Sequence, residues 1–180
     1  MRYFTAKGDK GKTEVYKRKF SKDSFIFEVL GDLDELNSLI GLAKNYLPRK
    51  FYKNLTEIQN DLFIIQANIA FYLYDEYKKF KLPKLREERV RKFEEEIKKI
   101  EKKVPEHKFI IYGSDKDSAW FDYLRAVIRR IERKIVKFNK SSHKLNEDIL
   151  KYINRLSSYF YALARFICYN KKIKEKAPWY

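Results

Sequence analysis

Arg125-Ala126-Val127-Ile128-Arg129-Arg130-Ile131-Glu132-Arg133 carries two overlapping periods. With its flanks, the stretch places Leu124, Ile128, Ile131 and Ile135 at alternating four- and three-residue steps, the spacing of one buried helical face. Arg125, Arg129 and Arg133 recur every fourth residue and form a cationic ridge beside that face rather than opposite it. Like charges at this spacing repel, and guanidinium groups at a core margin lose hydration, so the ridge needs anionic company. Asp122 and Glu132 can supply part of it. The rest must come from another element, another subunit or a polyanionic ligand. A solvated basic face is the ordinary alternative and, for the ridge by itself, the better one.

The apolar period recurs on both sides of this stretch. Upstream, Val29, Leu33, Leu36, Ile40, Ala43 and Leu47 mark a first helix from about Asp23 to Pro48. Leu55, Ile58, Leu62, Ile65, Ile69 and Tyr72 mark a second, fading in a lysine-rich stretch before Pro83. Val90, Phe93, Ile97, Ile100 and Val104 mark a third, closed by Pro105, whose charged outer face (Glu94 to Glu96, Lys98, Lys99) is expected in solvent. The ridge helix is expected over 116–139, capped by Ser114 or Asp115. Ile149, Ile153, Leu156, Phe160, Leu163 and Ile167 define a fifth over 145–170. Five amphipathic segments with short connections predict an all-α fold, a five-helix antiparallel bundle in one domain. Residues 1–23 show no helical period and fit an ordered loop or a flexible tail, 24–171 hold the bundle, and a tail over 172–180 is expected outside it. Strand signals are nearly absent.

Composition narrows the function classes. The 180 residues include 41 Lys+Arg against 25 Asp+Glu, a net charge of +16, which favours anionic partners without bearing on fold. One cysteine, Cys168, rules out an internal disulfide and a thiolate metal cluster, and its neighbours Phe166, Ile167 and Tyr169 place it in a core. No apolar run approaches the ~18 residues of a membrane span, and none follows Met1 as a leader would; the expected compartment is the cytoplasm. His107 and His143 fall in expected loops. No Ser-His-Asp order, paired acid carboxylates or zinc spacing is present, so an enzyme built on this chain works by binding and positioning its reactants.

Three further stretches carry chemistry. In Phe4-Thr5-Ala6-Lys7-Gly8-Asp9-Lys10-Gly11-Lys12-Thr13, two glycines three apart allow backbone amides to converge on an anion, with hydroxyl and ammonium groups in support. The spacing is not that of a Walker A loop, and a flexible basic tail fits about as well. On the first helix, Asp34, Asn37 and Gly41 share a face beside the apolar seam. A carboxylate there wants a cation, for which the Arg125 ridge is the evident source, while a polar flank facing water is the alternative. Gly41 in mid-helix costs ~1 kcal/mol relative to alanine, which close approach of another backbone would justify. On the fifth helix, Asn154, Ser158, Tyr161 and Arg165 line one face, either a binding face or a solvated stripe.

Taken in order, these pieces resemble the propanediol-utilisation type of ATP:cob(I)alamin adenosyltransferase. The matching stretches are Thr5 to Thr13, Ser21-Lys22-Asp23-Ser24, Gly31 to Asn37 with Gly41, Ile58 to Phe63, Arg125 to Arg133, and Asn154-Arg155-Leu156-Ser157. The resemblance implies a homotrimer of ferritin-like five-helix bundles with active sites at subunit interfaces. It implies transfer of the 5′-deoxyadenosyl group of ATP to cob(I)alamin, with Mg²⁺ assisting, giving adenosylcobalamin and triphosphate. It also implies nucleotide contacts at Thr5, Ala6, Lys7, Gly8, Thr13, Glu14, Lys22, Arg129, Arg130, Glu132, Arg133 and Asn154. Asp34 and Arg125 would bridge the interface as a salt bridge, and Phe109 would exclude the lower axial ligand of cobalt. The chain departs from the family pattern at Ala6-Lys7, Tyr112, Ser114 and Ser158. A reductase and a cobalamin-dependent mutase are implied as partners. Two rivals remain at this point: a carrier or sensor that binds ATP or cobalamin without turnover, and a basic helical nucleic-acid-binding protein. Against the second, the basic residues are spread over every helix.

Overall fold

A computed structural model describes residues 4, 6, 8–15, 18–74, 81–104, 109–141 and 144–179. A two-stranded antiparallel hairpin, β1 (Lys12–Val15) with β2 (Arg18–Ser21), precedes five helices: α1 (Phe25–Lys44), α2 (Tyr52–Ala70), α3 (Glu87–Glu101), α4 (Lys116–Lys140) and α5 (Glu147–Asn170). The helices arise where the apolar period was read. Leu124, Ile128, Ile131 and Ile135 are fully buried, as are Val29, Leu33, Leu36 and Ile40 on α1. Asp115 rather than Ser114 caps α4, its side chain accepting from the backbone N–H groups of Asp117 (2.9 Å) and Ser118 (3.3 Å). The hairpin is the addition to the expected all-α pattern. Its strands of four residues are too short to show an alternating period, and they are tied to the bundle where the Phe20 ring meets the edge of Phe27 at 6.0 Å.

Partner residues fix the direction of each helix. Glu28 and Glu35 of α1 pair with Lys134 and Arg130 of α4, and Tyr46 stacks on Trp120, so α1 and α4 are antiparallel. Asn37 and Lys44 meet Gln59 and Thr56 on α2 in the same sense. Phe93, Glu94 and Glu96 of α3 meet Tyr152, Arg155 and Tyr159 of α5 in increasing order. Successive helices therefore alternate, and α3 and α5 run parallel side by side, which an odd number of alternating helices permits.

Several local expectations change. The charged face of α3 is not simply solvated: Glu94 accepts from Arg155 at 2.7 Å and Glu96 from the Tyr159 hydroxyl at 2.6 Å. Gly41 faces the side-chain amide of Gln59, not another backbone; a Cβ there would stand 3.3 Å from Gln59 Nε2. That amide donates to the backbone oxygen and Oδ1 of Asn37 at 3.0 and 2.9 Å, so Asn37 is buried and used in packing while its neighbour Asp34 is exposed. The C-terminal tail does not lie outside the bundle along its whole length. The Ile111 N–H donates to the Lys176 carbonyl at 2.8 Å, and only the end, with Trp179 96% exposed, projects away. Among the described residues no helix is long and apolar enough to cross a membrane.

Candidate functional site

The α4 ridge remains cationic in the folded chain. Arg129 and Arg133 are exposed, with no ion-pair or hydrogen-bond partner among the described residues. Arg125 is half-buried, and its guanidinium carbon lies 5.3 Å from the Tyr161 ring centre and 5.6 Å from that of Tyr112. Among the described residues, these aromatic faces are its contacts, and the Asp122 carboxylate adds a through-space attraction. Asp122 goes elsewhere, to Arg165. Asp34 does not pair with Arg125, which lies on the α5-facing side of α4; Asp34 has no ion-pair partner among the described residues. Arg130 turns to the other flank and donates to Glu35 at 2.8 Å.

One turn along, Glu132 accepts from Asn154 Nδ2 at 2.7 Å, and Asn154 Oδ1 accepts from Arg155 at 3.0 Å. Asn154 and Glu132 are thus brought together by the antiparallel contact of α4 and α5, 22 residues apart in sequence. Below them a cavity of about 590 Å³ opens between α3, α4 and α5. Its polar wall is Glu101, Arg125, Arg129, Ser157, Ser158, Tyr161 and Arg165, and Ile97, Ile100, Val104 and Ala162 form its apolar wall. The mixture suits a ligand with an apolar body and polar edges.

A second concavity, about 510 Å³, belongs to the N-terminal loop and hairpin and includes Ala6, Asp9, Lys10, Lys12, Thr13, Glu14 and Lys19. Gly11 has φ +71°, a left-handed turn that glycine enters without strain, and its carbonyl accepts from the Lys22 backbone N–H at 2.9 Å. Gly8 makes room for a side chain: a Cβ there would stand 2.8 Å from Lys22 Nζ. Gly8 and Lys22, paired only by resemblance in the sequence, are therefore neighbours. Ala6 also adopts positive φ, +55°. Thr5 and Lys7 lie outside the described residues, as do His107 and His143. Among the described residues the two concavities share no lining residue, so the loop and the ridge belong to separate surfaces there.

Phe109 would pass for a core residue by its composition alone; it is 81% exposed, on the connection that leads through Gly113 (φ +90°) into α4. Sequence reasoning missed what lies behind that connection. Arg165, read as part of a binding or solvated stripe, is fully buried. Its Nη2 donates to both carboxylate oxygens of Asp122 at 2.9 and 2.7 Å, and its Nε lies 3.3 Å from Glu175 of the tail. Burial pushes the Asp122 carboxyl upward, against the pull of Arg165. The available signal was an arginine inside the apolar run from Ala162 to Cys168. Cys168 itself is buried, as expected of a structural thiol, and burial raises its pKa.

With this geometry in hand, the chain can be set beside known proteins. The model of the cobalamin adenosyltransferase family matches residues 3–167. The chain belongs to the cobalamin adenosyltransferase family. Within the family, it is 38% identical over 173 residues to a corrinoid adenosyltransferase of Bacillus subtilis, covering 93% of this chain and 86% of that one. It is 30% identical over 184 residues to the human corrinoid adenosyltransferase MMAB, covering 96% of this chain and 71% of the human one. It also superposes, with TM-score 0.88 and 29% identity, on a single-residue variant of the PduO-type ATP:corrinoid adenosyltransferase from Lactobacillus reuteri complexed with cobalamin and ATP. That superposition covers 98% of this chain and 99% of the other. The hairpin, the five helices and the returning tail are thus read in a family whose reaction brings a nucleotide and a corrinoid together.

Proposed function

We propose that this protein moves the 5′-deoxyadenosyl group of ATP onto cob(I)alamin, giving adenosylcobalamin and triphosphate. The observation that carries this reading is the pair of exposed arginines, Arg129 and Arg133, without anionic partners among the described residues, on α4 of a chain in this family. Cob(I)alamin is itself the nucleophile: its cobalt electron pair forms the bond to C5′, the C5′–O bond breaks, and that electron pair leaves with the triphosphate. No proton need be moved at the reacting carbon, in keeping with the lack of a recognisable acid–base pair. The work left to the protein is to position the two reactants and to stabilise charge on the leaving group. Arg129 and Arg133 would hold the triphosphate from the ridge. Gly8, Thr13, Glu14 and Lys22, with Thr5, Ala6 and Lys7, would hold the nucleotide from the loop over residues 1–23. Arg130, Glu132 and Asn154 would complete its contacts. Contacts that tighten as charge builds on the departing triphosphate act on the transition state more than on bound ATP.

The loop and the ridge belong to separate concavities of one chain, which supports a homotrimer in which the loop of one subunit meets the ridge of the next. Asp34, without an ion-pair partner among the described residues, would then reach Arg125 of a neighbour. Phe109, exposed on the connection whose Tyr112 ring lies over Arg125 and Arg165, would form the apolar wall under the corrin and favour four-coordinate cob(II)alamin, the form that is easier to reduce. Among the described residues no cluster of three His, Cys, Asp or Glu side chains could hold a metal ion. Mg²⁺ would accordingly ride on the phosphate oxygens of the nucleotide, as its preference for oxygen ligands and retained water allows. The reading places the protein in the cytoplasm, supplied with electrons by a reductase and handing its product to a cobalamin-dependent mutase. Nucleic acid is not among its expected partners.

The deciding experiment is anaerobic: protein, ATP, Mg²⁺ and chemically reduced cob(I)alamin, followed by the corrinoid absorption spectrum. Conversion to adenosylcobalamin is expected. ATP bound without conversion would instead make the protein a carrier or sensor.

A further inference from the structure

Two arginines hold the connection that carries Phe109, and only one of them belongs to the ridge. The Tyr112 ring lies over both guanidinium groups, 5.6 Å from Arg125 and 5.8 Å from Arg165. One residue earlier, the Ile111 N–H is taken by the Lys176 carbonyl of the tail at 2.8 Å. The tail is in turn fixed at Glu175, whose carboxylate is buried against Arg165 Nε at 3.3 Å. Arg165 is 2% exposed and is anchored at its far end by Asp122 of α4. Every described tie on the connection therefore leads to Arg165 or to Arg125. Arg165 Nη1 is also buried without a hydrogen-bond partner, on the wall of the arginine cavity.

We infer that Arg165, acting with Glu175, is a positioning residue for Phe109. It does not touch the reacting atoms. Its guanidinium joins α4, α5, the tail and the Tyr112 ring at one buried point, and so fixes the angle at which the 109–113 connection presents its exposed phenylalanine. A side chain 81% exposed has little packing of its own to hold it, so its position must be set through its backbone. The charge of Glu175 matters because its carboxylate attracts the Nε side of a guanidinium whose Nη2 is already held by Asp122, and so draws the tail onto that buried group. This inference rests on the functional reading above, in which Phe109 walls the corrin.

The test uses Glu175→Gln and Tyr112→Ala in the full-length protein, since replacing the buried Arg165 would leave Asp122 unpaired and could unfold the bundle. The first readout needs no ligand: amide hydrogen exchange at Ile111 should quicken roughly tenfold in Glu175→Gln, with exchange in the α4 core unchanged. The second is the fraction of bound cob(II)alamin in four-coordinate form with ATP present, read from its visible spectrum. It should fall several-fold in both variants, while ATP affinity stays within about twofold. Wild-type exchange at Ile111 together with a wild-type four-coordinate fraction would overturn the inference. If the wild-type protein proves inert toward corrinoid, the functional reading fails and takes this inference with it; an active wild type with unchanged variants overturns this inference alone.

Discussion

Arg129 on α4 and Arg165 on α5 line one cavity and play opposite roles. Arg129 is exposed and has no ion-pair partner among the described residues; Arg165 is buried and tied to two carboxylates. Replacing the first should cost function and spare the fold. Arg129→Ala is expected to lose at least a hundredfold in turnover, the scale of a lost transition-state charge contact, with circular dichroism and thermal midpoint unchanged. Near-normal turnover in that variant would remove the triphosphate from the ridge. Gly8→Ala probes the other side of the nucleotide. The new methyl would displace Lys22 Nζ, the end of a flexible side chain, so stability should hold while ATP affinity, measured by calorimetry, falls roughly three- to tenfold. Of these residues, the sequence exposed the ridge because its fourfold spacing is a local property. The burial of Arg165 depends on Asp122 and Glu175, 43 residues before it and 10 after it, and no local period records that.

The helices were legible because each carries an unbroken apolar stripe, and burial of such a stripe dominates over local propensity. The hairpin was not, since four-residue strands show too little alternation, and the return of the tail rests on long-range ties, the Ile111–Lys176 backbone bond and the Glu175–Arg165 ion pair, that leave no local pattern. Between α2 and α3 a polar cluster does work that the apolar pattern conceals. Arg89 of α3 donates to Glu57 at 2.9 Å and to Asp61 at 2.8 and 2.6 Å; Lys92 reaches Glu57 at 2.7 Å, and the buried Tyr152 hydroxyl donates to Asp61 at 2.8 Å. The hydrogen bonds from Lys92 and Arg89 lower the Glu57 pKa from 4.5 to about 2. A depressed carboxylate pKa stabilises the fold above the unfolded-state value, and that stability is lost as pH falls through the folded value. The contribution of Glu57 should therefore be complete above about pH 4.5 and fade toward pH 2. Glu57→Gln is expected to cost about 1–2 kcal/mol at neutral pH and to flatten the acid limb of a thermal-midpoint profile. An unchanged acid limb would assign that limb to other carboxylates.

For the assembled molecule, the expected test of the interface is Asp34→Ala. Activity should drop, and the trimer should dissociate at protein concentrations roughly tenfold higher than wild type, read by analytical ultracentrifugation. A trimer indifferent to the substitution would dissolve the proposed Asp34–Arg125 bridge. The alternation of five helices has a further effect on how such an assembly inherits damage. Because the count is odd, the chain enters the bundle at one end, through the hairpin, and leaves it at the other, through the tail, a separation of about 36 Å along a 24-residue helix. In the proposed trimer a subunit would then be two half-sites facing different neighbours, and a lesion in one half would leave the other usable. Co-expressing chains crippled in the loop with chains crippled in the ridge should restore about a quarter of wild-type activity, since three in four randomly mixed rings would each hold one intact junction of three. In genetic terms, the proposed trimer predicts that two null alleles of this protein complement each other, provided that their lesions fall at opposite ends of the bundle.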